Sequence, residues 1–97
     1  MIDTNQLLLE FVRSRSEMAF REIVSAYVDL VHSVATRRMG GNEELARDVV
    51  QTVFTDLARK APALRAESSL GGWLHRHTCF VSSNRSEEHT SELQSQR

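Results

Sequence analysis

A single cysteine, Cys79, leaves no partner for an internal disulfide, so no covalent staple closes this chain and a reducing compartment suits it. One proline and four glycines in 97 residues are too few for the turn-dense chain of a sandwich or barrel. With abundant Ala, Leu, Val, Glu and Arg, helix is the expectation. No apolar run approaches the roughly 20 residues that cross a bilayer, so no membrane span is expected. Asp3 and Glu10 stand where a secretory leader would carry positive charge, which argues against secretion. The expectation is a soluble, cytoplasmic chain. Its length and its 40% hydrophobic content fit one domain with a modest core.

The constellations of an enzyme are missing too. Gly40-Gly41 and Gly71-Gly72 are pairs without the spacing of a phosphate-cradling loop. Nothing near Cys79 marks it as a nucleophile, and a lone helical cysteine is usually packed in a core. His75 and His77 lie about 200° apart on a helix and cannot share a metal. His75 and Cys79 are suitably spaced at i, i+4, but a metal site needs three or four protein ligands. No catalytic residue, metal or cofactor is expected, and the chain reads as a binding module rather than an enzyme.

What is present is helical patterning. A first segment, about 4–12, carries Leu7, Leu8, Phe11 and Val12 on one side. Ser14-Arg15-Ser16-Glu17 then has capping-box spacing. A second segment, about 17–39, shows Phe20, Ile23, Val24, Tyr27, Leu30, Val31, Val34 and Ala35 at steps of three and four. Arg37 and Arg38 close it, followed by Gly40-Gly41 as a C-cap. A third, about 43–61, follows Asn42 as N-cap and carries Ala46, Val49, Val50, Val53, Phe54, Leu57, Ala58 and Ala61. Pro62 is expected to stop it. A loop over 62–68 leads to a fourth segment, about 69–84, with Leu70, Trp73, Leu74, His77 and Val81 on one face. Gly71 and Gly72 near its start each cost about 1 kcal/mol relative to alanine, which points to a close approach by a neighbouring backbone or to an irregular first turn. An all-α, compact bundle of about four helices is the expected fold.

The formal charge of −1 conceals a division. Residues 1–58 sum to −3, whereas 59–84 sum to +3 through Arg59, Lys60, Arg65 and Arg76 against Glu67. Such a chain can meet a protein with one part and phosphate with the other. From Arg85 the composition changes abruptly. Arg-Ser-Glu-Glu-His-Thr-Ser-Glu-Leu-Gln-Ser resembles the translation of a common short-read sequencing adapter, so 85–97 is set apart as an adapter-derived tail, expected to be disordered or loosely helical. Residues 1–84 are then the domain, and the natural protein is expected to continue past Asn84.

The third segment has an unusual back. Opposite its apolar stripe lie Asp48, Gln51, Thr52, Thr55 and Arg59, with amides and hydroxyls where Glu and Lys would ordinarily dominate. A solvated face is the common outcome for such residues. Uncharged polar groups nevertheless desolvate more cheaply than ions, which suits burial against a partner. Leu45-Ala46-Arg47-Asp48-Val49-Val50-Gln51-Thr52-Val53-Phe54-Thr55-Asp56-Leu57 resembles the core-binding helix of bacterial sigma factors, A-E-D-x-x-Q-E-x-F-x-x-L. Upstream, Ala19-Phe20-Arg21-Glu22-Ile23-Val24 and the run Tyr27 to Ala35 resemble the preceding helix, F-x-x-L and Y-x-x-x-V-x-x-x-A. Downstream, Leu64-Arg65 and Gly72-Trp73-Leu74-His75-Arg76 resemble the loop and the W-L-x-R start of the helix that meets promoter DNA. The ordered set covers residues 5–84 and is most similar to region 2 of the extracytoplasmic-function type.

The resemblance implies roles. Asp48 and Gln51, with Thr52 and Thr55 beside them, would contact the β′ clamp helices of core RNA polymerase, while Phe54 and Leu57 hold that helix to the bundle. The stretch 61–72 would capture a flipped base of the minus-ten element. Arg59, Lys60, Arg65, Ser68, Ser69, His75 and Arg76 would contact the non-template strand, cations positioning phosphates and a pocket offsetting the cost of unstacking. An anti-sigma factor is a further partner the family allows. Trp73, lying in an apolar stripe, is assigned to the core rather than to base stacking. The sequence departs from the family at Thr52, usually glutamate; at Arg47, usually an acid; and at Phe80, often asparagine. The 62–68 loop has no aromatic to act as a wedge. The alternative is a helical protein–protein interaction module that never meets nucleic acid.

Overall fold

Each apolar stripe can leave water only by packing against another, and four helices do so: α1 (Thr4–Ser14), α2 (Glu17–Arg38), α3 (Glu43–Leu64) and α4 (Leu70–Gln94). The computed structural model describes the backbone of residues 4–64 and 69–94 and the side chains of 5–64 and 69–85. Among these residues the fold is all-α. α2 packs against all three other helices, α3 also against α4, and α1 reaches across to α3. Ile23, Val31, Val49, Val53, Leu57 and Leu74 are fully enclosed at the centre. At about 1.5–3 kcal/mol for each large side chain buried, these positions hold the bundle together.

The stripes are close to the expected ones but not identical. Leu30, read as part of the α2 stripe, is exposed at its edge, and Ala19 is buried instead. In α4 the enclosed face is Leu70, Leu74, Thr78, Val81 and Ser82. Thr78 is accommodated there because its hydroxyl donates to the Leu74 carbonyl at 2.6 Å. Trp73 and His77 lie beside this face, half-buried against the edge of the core rather than within it.

Local chemistry sets the helix ends. Ser14 is not a cap: it belongs to the last turn of α1 and donates to the Glu10 carbonyl. Ser16 caps α2 by accepting from the Ala19 amide at 3.2 Å, two residues out of register with the expected box. α2 ends in a Schellman cap, with the Gly41 amide donating to Thr36 O and the Gly40 amide to Arg37 O. Gly40 and Gly41 have φ of 64° and 83°, the left-handed geometry this cap demands. Asn42 caps α3, its Oδ1 accepting from the Leu45 amide. Ser69 caps α4, its Oγ accepting from the Gly72 amide at 2.9 Å. The close approach at Gly71 comes from a side chain, not a backbone: a Cβ there would meet the Tyr27 ring at 3.4 Å.

Pro62 does not stop α3, which continues to Leu64. Proline has no N–H to give the Ala58 carbonyl, and that carbonyl finds Arg15 instead, at a long 3.5 Å from Nη1. Arg15 ends α1 with a positive φ of 56°, and its guanidinium also lies 4.5 Å from the centre of the Phe11 ring. Burial of Ala61 and Leu64 then gives the last turn of α3 a reason to stay helical past the proline. At its far end α4 continues beyond Asn84 to Gln94, the helical one of the two states expected for the tail, in a run without Gly or Pro to interrupt it.

Pro62→Ala restores the missing donor and should raise stability by about 1 kcal/mol in urea unfolding, less than the roughly 3 kcal/mol of a mid-helix proline because only Ala63 and Leu64 follow in the helix. The gain should persist in an Arg15→Ala background; its disappearance there would mean that Arg15, not the proline, governs this turn.

Candidate functional site

Burying Val49, Val53 and Leu57 turns the opposite side of α3 outward. Asp48, Gln51 and Thr55 are exposed there and Thr52 is half-buried; with Asp56 and Arg59 they line one shallow groove. All four residues expected to meet a protein partner are therefore neighbours. Arg59, expected to meet DNA, shares this groove, its guanidinium 3.7 Å from Asp56 and largely exposed. Lys60 is exposed next to it in sequence.

The remaining expected DNA contacts divide into two groups. Arg65 and Ser68 lie outside the described residues. Ser69, His75 and Arg76 are exposed on the first turns of α4. The cap already uses the Ser69 oxygen as an acceptor, leaving its proton to donate. An Arg76 guanidinium nitrogen stands 3.5 Å from where a Gly72 Cβ would be, so this cation lies back over the first turn of α4. A side chain at 72 would crowd both Ser69 and Arg76.

Between these two surfaces stands a feature absent from the sequence reading. Trp73 and His77 stack with ring centres 4.5 Å apart and planes 12° from parallel, and Phe80 continues the ladder 5.8 Å beyond His77. The His77 Nε2 meets Asp56 Oδ2 at 2.8 Å, joining α4 to the groove on α3. Phe80, at the open end, is 58% exposed. The spacing i, i+4, i+7 of Trp73, His77 and Phe80 was the available signal. The sequence pattern assigns Trp73 and His77 to an apolar stripe and marks Phe80 only as standing where the resemblance often has asparagine.

Compared with known protein families, residues 23–79 match the model of sigma-70 region 2, more than half the chain. The chain belongs to the sigma-70 region 2 family. The match runs from Ile23, in the first third of α2, to Cys79 in α4 and includes every residue expected to make a contact. The chain is also 36% identical over 73 residues to the ECF RNA polymerase sigma-E factor of Haemophilus influenzae, an alignment covering 75% of this chain and 38% of that protein. It thus spans well under half the length of this relative. No solved structure matches it. Within this region 2 fold, Phe80 lies one residue past the family match. No helix among the described residues is long and apolar enough to cross a membrane, and those residues contain no group of three His, Cys, Asp or Glu able to hold a metal.

The Asp56–His77 contact should couple α3 to α4 energetically. In a double-mutant cycle of Asp56→Ala and His77→Ala, urea unfolding should give a coupling of about 1 kcal/mol, typical of a partly exposed hydrogen bond. Additive losses would show that the ladder stands without Asp56.

Proposed function

We propose that this region 2 chain binds core RNA polymerase through the outer face of α3 and meets the non-template strand of the minus-ten element through the start of α4, during transcription initiation. The observation that carries the reading is the gathering of Asp48, Gln51, Thr52 and Thr55 around one groove, on the side of α3 that the core leaves free. Gln51, Thr52 and Thr55 are cheap to desolvate, and Asp48 offers an acceptor for a cation of the β′ clamp helices. The name of the Haemophilus relative, an RNA polymerase sigma factor, supports the same partner.

For the DNA role, support comes from Ser69, His75 and Arg76 being exposed together in the part of the chain that carries a net charge of +3. Cations there would position phosphates, and the 61–72 stretch would hold an unstacked base. No reaction is assigned to the chain; it acts by binding. The alternative, a helical interaction module without nucleic-acid binding, would use the same α3 groove.

Pull-down with core polymerase tests the first role. Asp48→Ala with Gln51→Ala should weaken binding tenfold or more, a loss of about 1.4 kcal/mol, while circular dichroism stays unchanged. A folded double variant that binds like wild type defeats the role of this face. For the second role, affinity for a single-stranded minus-ten oligonucleotide should fall steeply with salt, and Arg76→Ala should flatten the logarithmic slope by about 0.7. Absence of binding at low salt would favour the protein-only module.

A further inference from the structure

A second polar site lies between the end of α2 and the middle of α4, sharing no residue with the α3 groove or the start of α4. Arg37, Arg38, Ser82 and Ser83 line a cleft there. The two arginines occupy the last turn of α2, where basic residues ordinarily answer the free carbonyls of a helix end. Here that task is already done. The amides of Met39, Gly40 and Gly41 donate to the carbonyls of Ala35, Arg37 and Thr36, so neither guanidinium is needed as a cap. Among the described residues no carboxylate pairs with either arginine. Arg38 reaches only the Ser83 hydroxyl, at 3.3 Å across the two helices. Among the described residues, two adjacent cations are thus left exposed without a counter-charge.

The cleft also contains an unmet hydroxyl. Ser82 is 1% exposed, and its Oγ has no hydrogen-bond partner. A buried hydroxyl in that condition is a standing penalty. Thr78, one turn earlier on the same helix, avoids the penalty by bonding back to Leu74, whereas Ser82 does not. The cleft surface therefore offers two planar guanidinium forks and the Ser83 hydroxyl, with the unmet Ser82 hydroxyl enclosed at its wall. Guanidinium forks match oxygens in pairs, and a tetrahedral oxyanion has enough acceptors for both forks and the Ser83 hydroxyl at once.

We propose that Arg37, Arg38, Ser82 and Ser83 form a phosphate-binding site, taking either free inorganic phosphate or a phosphodiester of a nucleic-acid backbone. Its residues differ from those of the two surfaces proposed above, so it stands or falls separately from them.

The test is a ¹⁵N NMR titration of the full 97-residue chain with inorganic phosphate, ionic strength being held constant with chloride. Saturable shifts of the amides of Arg37, Arg38, Ser82 and Ser83 are expected. Affinity should fall about tenfold or more in Arg37→Gln with Arg38→Gln, both exposed positions whose replacement leaves the core intact. Ser83→Ala, which removes one donor without touching a charge, should weaken binding by a smaller factor. Adding a DNA duplex of arbitrary sequence then separates the sources: displacement of phosphate identifies the backbone as occupant, and unchanged phosphate shifts identify the free anion. Shifts that never saturate, that chloride reproduces, or that persist in the double-glutamine variant would overturn the site.

Discussion

The burial of one side of α3 between α2 and α4 is the constraint on which everything else depends. Val49, Val53 and Leu57 are wholly enclosed, and a helix rotated enough to expose any of them would lose a few kcal/mol per side chain. That cost fixes the rotation of α3 about its own axis. Asp48, Gln51, Thr52 and Thr55 consequently point away from the bundle together, and the polar groove exists because the apolar stripe opposite it is satisfied. The polar face is the complement of the packing face.

α4 obeys the same rule with a different outcome. Its enclosed side is narrower in apolar content and includes Thr78 and Ser82, so Trp73, His77 and Phe80 are turned to the flank, where they stack. Asp56 reaches this ladder from α3 and also lines the groove, so the groove and the ladder meet at one carboxylate. At the other end of α3, Pro62 removes a backbone donor and Arg15 from the end of α1 takes up the orphan carbonyl. Polar groups at the helix ends thus join the elements that apolar burial has stacked.

Much of this was legible beforehand. The caps at Asn42 and Gly40-Gly41 follow from residue chemistry that acts over three or four positions, and both form as read. The α3 stripe was legible because its period is unbroken for about four turns. Ser14 was misread because two serines two residues apart satisfy the same capping rule, and only the actual turn of the chain chooses Ser16. Pro62 was misread because the rule that proline ends helices assumes that the freed carbonyl has nowhere else to go. The ladder went unread because a histidine in an apolar stripe carries no mark of the carboxylate that will meet it.

By itself the sequence determined the helical class, the number of helices, the polar back of α3 and, through the ordered motifs, the family. These depend on spacing along one chain, where neighbours three and four residues apart are always neighbours in a helix. Tertiary structure alone decided that Asp56 meets His77, that Arg15 serves Ala58, and that Arg37 and Arg38 come to lie beside Ser82 and Ser83. Those pairs are separated by twenty or more residues, and their meeting depends on how each helix is rotated when its apolar side is buried.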